Sequence, residues 1–358
     1  MNEATSSPYN PGAYSSDEIP SLPEAPKKRG RLGEDLLPFG DYAHINPYQQ
    51  ICADAELVQH MEQKDKQFYL SDDWWWDHQR IRFIKSQLGL SVLLMAFPFL
   101  YFCFLVFFPF YLSYVIVFYM QDHDHNAVLA MLIFLAVAGG GLIGAAIIGA
   151  YTCQSVMNGI IRGCAYLARP FQGWLAKRGN SYMNNRQSEL NRQTGMVSFA
   201  QGKRKPPLRA PFVEFDGYVE RVVQRGGVFY RLMFVHRYTG KQFNQTSLSA
   251  IVDHQHEVRA TWDMLQRYMD VSQPLPDVPR LEPFRHLDPT TAEHDRQTGR
   301  NPRYWRDLDL EAWKKGDGAA HIKAQIAYPW DRKRCQLTPQ LGKVEMEAYR
   351  QRQEAAAV

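Results

Sequence analysis

Three short runs in this 358-residue chain combine side chains able to hold a metal ion or move a proton. Asp122-His123-Asp124-His125 alternates carboxylate and imidazole, both suitable ligands for a divalent ion. Alternate positions on a short loop point apart, and no further ligand lies near in sequence, so the run reads as a polar turn. Asp253-His254-Gln255-His256-Glu257 sits where a helix should start, with Asp253 as its cap. His254 and His256 would then project in different directions. Glu293-His294-Asp295-Arg296 reads as a charged loop. An enzyme built on these runs would have to bring His254, His256, His294 and Asp295 into one pocket. Nucleotide-binding, hydrolase, metalloprotease and kinase motifs are missing. The five cysteines, Cys52, Cys103, Cys153, Cys164 and Cys335, form no CxxC pair. The expectation is a protein with no catalytic, cofactor-binding or metal-binding residues.

The elements that would carry such side chains are unevenly apolar. From Leu88 to Met120 no charged residue occurs, nor from Ala127 to Thr152. A bilayer-spanning helix needs about 20 such residues. The two runs therefore predict a transmembrane helical hairpin over 88–152, joined by the polar residues 121–126. Pro98 and Pro109 lie inside the first run. They predict a kinked single span, with a re-entrant hairpin broken near Pro109 as the alternative. Arg80, Arg82 and Lys85 precede the hairpin, and Arg162, Arg169, Lys177 and Arg178 follow it, while the connection has neither Lys nor Arg. The positive-inside rule predicts both termini in the cytoplasm and the connection outside. The spans carry no ionisable residue of the kind that marks a transport pathway.

Two features flank or line the hairpin. Trp74, Trp75 and Trp76 precede the first run by about a dozen residues and are expected at the headgroup level, where tryptophan is half buried and half wet. In the second run Gly140 and Gly144 form a GxxxG pair, continued by Gly141, Ala145 and Gly149. Small residues at that spacing let helix backbones approach closely. They predict a packing face against the first span or against a second copy of the chain. The expected partners are the lipid bilayer and a protein. Nucleic acid is not expected, because the net charge is only +4 and both signs are interspersed.

Around the hairpin, residues 1–40 are rich in Pro, Ser, Gly and charge and are expected to be a disordered tail without a signal peptide. Residues 41–87 form a juxtamembrane segment with a short helix over 54–70. Residues 153–210 hold a juxtamembrane helix, interfacial or continuous with the second span, and then a polar linker ending in Lys203-Arg204-Lys205. Residues 211–358 are expected to be a cytoplasmic α+β domain. Pro211 to Gln224 and Val228 to Tyr238 flank Arg225-Gly226-Gly227, and Gln242 to Leu248 follows, predicting an antiparallel β-meander. A helix over 253–269 should pack one face on it, through Val258, Trp262, Leu265 and Met269. A proline-rich arm from Pro274 to Pro289 and a polar C-terminal tail follow.

The stretch Ala260-Thr261-Trp262-Asp263-Met264-Leu265-Gln266-Arg267-Tyr268-Met269, with Pro274-Leu275-Pro276 and Pro283-Phe284-Arg285, resembles a family of uncharacterised two-pass membrane proteins of Gram-negative bacteria. Members often occur near type VI secretion toxin genes. The resemblance covers roughly residues 85–315. It implies the inner membrane and a context of interbacterial competition, and so a non-enzymatic immunity or assembly factor. It brings no active residues with it.

Overall fold

The computed structural model describes residues 9–26, 33–36, 40–71, 74–84, 88–122, 127–168, 187–201, 205–243 and 247–356. Two compact units form. One joins Met1–Ser86 with Met183–Val358, and the other is Gln87–Tyr182.

The first unit contains two four-stranded antiparallel sheets. Strand β1 (Gly33–Leu36) pairs with β6 (Phe215–Gln224), β6 with β7 (Gly227–His236), and β7 with β8 (Gln242–Phe243). The Gln224↔Gly227 register leaves Arg225-Gly226 as a two-residue loop, so the expected meander is present. The second sheet runs β2 (Arg80–Ile84), β3 (Gln187–Asn191), β4 (Met196–Phe199) and β5 (Leu208–Pro211). Phe199 of β4 stacks on Phe243 with 4.6 Å between ring centroids and touches Phe215 and Phe234, so aromatic side chains join the two sheets.

Helix α4 (Gln255–Met269) lies against the first sheet. Gly217 of β6 makes this possible: a Cβ there would sit 2.8 Å from the Trp262 indole. Only one face of α4 was expected to be covered, yet Glu257, Asp263, Gln266 and Arg267 are buried as well. Helix α1 (Tyr48–Lys64) and five C-terminal helices belong to the same unit, and the fourth of the five contacts α4. The five are α5 (Pro289–Thr298), α6 (Tyr304–Asp307), α7 (Leu310–Lys315), α8 (Asp317–Ala327) and α9 (Met346–Ala356). Asp253 does not cap α4. The cap position is His254, with no side-chain bond.

Three expected boundaries change. Part of the N-terminal tail is packed: Tyr14 and Leu22 are buried, Leu22 bridges Leu341, and β1 edges a sheet. Tyr14 meets the Phe212 ring edge-on at 5.4 Å, and Leu22 N donates to Gln340 O at 2.9 Å. The polar linker contains β3 and β4, whose Ser188, Leu190, Val197 and Phe199 alternate inward. The C-terminal tail is also docked, since buried Tyr349 donates to Glu214 Oε1 at 3.0 Å. Lys203 and Arg204 lie outside the described residues.

The second unit is a helical pair. Helix α2 (Leu88–Asp122) runs unbroken through Pro98 and Pro109, so the re-entrant alternative does not occur. Helix α3 (Ala127–Ala168) continues past Thr152 as one element. Cys103–Met120 and Val128–Gly149 have mean hydropathies of 2.0 and 2.4, so both helices are long and apolar enough to cross a membrane. Residues 123–126 of the connecting polar run lie outside the described residues.

Candidate functional site

Within the helical pair the small residues split between two directions. Successive helical positions turn by about 100°, so the pair Gly140/Gly144 cannot share a line with Gly141/Ala145. Gly141 meets α2, where an added Cβ would lie 2.3 Å from Pro109 Cβ. Ala138 and Ala145 are buried on the same side. A Cβ at Gly140 or Gly144 would meet nothing within 4 Å. Gly149 is half-buried. The single stripe expected from sequence is therefore corrected to one face that packs on α2 and one that is open. Thr152 Oγ1 donates to Ile148 O at 2.6 Å, which leaves its oxygen to accept from Tyr101 Oη at 2.7 Å. This hydrogen bond joins the two helices well inside both of them.

The tryptophans are core residues rather than a headgroup belt. Trp76 is 3% exposed within the main core, beside half-buried Trp75. Trp74 packs with Val58, Phe68 and Phe284. Strand β2 follows them directly and pairs with β3, which holds this stretch inside the domain.

The histidine runs do not converge. His254 and His256 stack on each other at 5.1 Å at the start of α4. His294 and Asp295 lie on α5, and Asp295 is held by Arg285. Asp288, the cap of α5, is tied through Arg192 to carbonyls at the opposite end of α4. Fifteen helical residues, about 20 Å, separate the two ends. Among the described residues no cluster of His, Cys, Asp and Glu could hold a metal ion.

Sequence reasoning missed the buried charges that α4 organises. Arg192, in the β3–β4 turn, is fully buried. It donates to Asp288 and to the carbonyls of Arg267, Tyr268, Asp270 and Gln273, so it satisfies the C-terminal end of α4. Asp263 accepts from Ala43 N, Arg267 Nε and Lys333 Nζ. Glu257 accepts from Gln49 N at 2.7 Å and Gln50 N at 3.2 Å, capping α1 from another helix, and from Gln325 Nε2 at 2.7 Å.

Glu257 also lines a cavity of about 230 Å³, together with Gln50, Asp54, Trp76, Leu248 and Arg280 among others. Arg280 Nε donates to Asp54 Oδ1 at 2.7 Å, and the guanidinium lies over the Trp76 ring at 5.3 Å. Burial pushes the Asp54 carboxyl above its ordinary pKa, although Arg280 pulls the other way. Burial raises Glu257 too, against its hydrogen bonds from Gln325 and the α1 backbone. Glu257 lies in a run singled out from sequence, but the residues that meet it are distant in the chain: Gln49 and Gln50 by more than 200 positions and Gln325 by 68.

No protein family, curated protein or solved structure matches the chain.

Proposed function

We propose that the chain is a two-pass protein of a bacterial inner membrane. It holds its α+β domain on the cytoplasmic face and acts there by binding a partner, as an immunity or assembly factor of type VI secretion. One observation carries the membrane arrangement: the apolar helices are inserted between two strands that pair with each other. Ile84 and Gln187 are partners at the end of the β2–β3 ladder, about 5 Å apart. A segment that leaves and re-enters a folded domain at one point, where it enters a bilayer, crosses it an even number of times. Helices of 35 and 42 residues extend about 50 and 60 Å, beyond the ~30 Å hydrocarbon layer. The Lys and Arg flanks, read by the positive-inside rule, support a cytoplasmic position for the domain.

Partner binding is favoured over catalysis by how the buried ionisable groups are used. Asp263, Asp288 and Glu257 are each engaged by several donors within the fold. The secretion context comes from the resemblance of Ala260–Met269 and the proline arm. Purification of the tagged chain in mild detergent, from cells that carry a type VI system, tests it. Mass spectrometry should find a toxin or a secretion component. Recovery of neither would remove the secretion assignment, while leaving the two-pass arrangement to the labelling experiment described below.

A further inference from the structure

Arg280 stands out among the cavity residues because its guanidinium is fixed on two sides and unused on the third. Asp54 holds Nε, and Trp76 supports the face. Nη1 and Nη2 make no hydrogen bond to any described residue, and the side chain is one-third exposed. An arginine held this way has surrendered its rotamer freedom before any ligand arrives. Its remaining edge is a planar fork of donors matched to a carboxylate. The adjacent walls are apolar, from Leu232 and Val258, both buried, with Leu248 and Val252.

We propose that this cavity binds a small carboxylate with an apolar body. The carboxylate lies on the Nη edge of Arg280, and the body lies against Leu232, Leu248, Val252 and Val258. The inference is independent of the membrane reading. The charged groups lining the cavity are Asp54, Glu257 and Arg280. Both carboxylates already have donors: Arg280 and Gln50 for Asp54, and the α1 backbone and Gln325 for Glu257. The hydrogen-bonding capacity that the arginine does not use within the fold is donor capacity, which an acceptor group would match. An ammonium would have to compete for acceptors already in use. The volume, about 230 Å³, lies below the roughly 300–1,000 Å³ of sites for drug-sized ligands, which fixes the ligand as small.

Hexanoate, hexanol and hexylamine share one apolar body and differ at the head, so they separate the head-group contribution. Each is titrated calorimetrically into the full chain in non-ionic detergent, with protein-free micelles as the blank. Hexanoate should bind, and hexanol and hexylamine should bind at least about tenfold more weakly, because charge-assisted hydrogen bonds are lost. Arg280→Gln should weaken hexanoate by a similar factor. Because this change strands Asp54, a second variant avoids the fold: Ala250→Trp places bulk at an exposed lining position and should block entry. Failure of hexanoate to bind more tightly than hexanol overturns the proposal. So does either variant, folded, binding hexanoate as the natural chain does.

Discussion

If the helical pair is an insertion in a β-hairpin, the domain should survive its removal. Lys85–Arg186 are replaced by Asn-Gly, which joins Ile84 to Gln187 through a two-residue loop suited to an antiparallel pair. The five pairs of the β2–β3 ladder are kept, from Arg80↔Asn191 to Ile84↔Gln187. Ile81 and Phe83 remain buried, each worth about 1.5–3 kcal/mol. Closing the strands with two residues in place of about 100 lowers the loop-closure cost by up to about 3 kcal/mol. The shortened chain should therefore be soluble without detergent, monomeric by size exclusion, and cooperative in urea unfolding followed by circular dichroism. Phe83→Ala in that background should cost about 3–5 kcal/mol, because it empties a packed position. A shortened chain that aggregates, or that unfolds without a cooperative transition, would refute the insertion argument.

Three further outcomes follow from particular contacts. Gly141→Leu should destabilise the helical pair by about 1–3 kcal/mol through overpacking against Pro109, while Gly144→Leu, with open space around it, should leave thermal stability in detergent unchanged; equal effects would contradict the two-face assignment. In the shortened chain Arg192→Ala should cost about 3–5 kcal/mol in urea unfolding, since it leaves Asp288 buried without its cation and uncaps α4; a loss under about 1 kcal/mol would show that Arg192 is dispensable. Asp54 and Glu257 hold their protons more tightly folded than unfolded, so the stability they give is fully present below about pH 4 and is lost as pH rises through their raised folded values. Asp54→Asn with Glu257→Gln should flatten that decline in urea midpoints, and an unchanged decline would count against the buried-carboxyl account.

The two long apolar helices were legible in the sequence because the absence of charge over 88–120 and 127–152 is a local signal. The β6–β7 hairpin was legible for the same reason, with its turn residues next to its strands. The second sheet was not, because β2 and β3 are separated by the hairpin and pair only in space. Polar Gln187-Ser188-Glu189-Leu190-Asn191 has a single large apolar residue to mark it as a strand. That omission also produced the wrong place for Trp74–Trp76: without β2, aromatic residues ahead of an apolar run look like an interfacial belt. The glycine spacing was visible, but the choice of face depends on where Pro109 lies across the pair. The cavity was hidden because Asp54, Trp76, Leu232, Glu257 and Arg280 come from stretches far apart in the chain.

Cysteine labelling in intact cells decides whether the two flanks of the hairpin share one side of the membrane. In a cysteine-free background, single cysteines replace Leu70 before the hairpin, Asp124 in its connection, and Arg225 in the β6–β7 turn after it; Leu70 and Arg225 are exposed. A maleimide that passes the outer membrane but not the inner one should label Asp124→Cys alone, with Leu70→Cys and Arg225→Cys reacting only after the cells are opened. Labelling of just one of Leu70→Cys and Arg225→Cys in intact cells, or protection of Asp124→Cys, would contradict the two-pass arrangement.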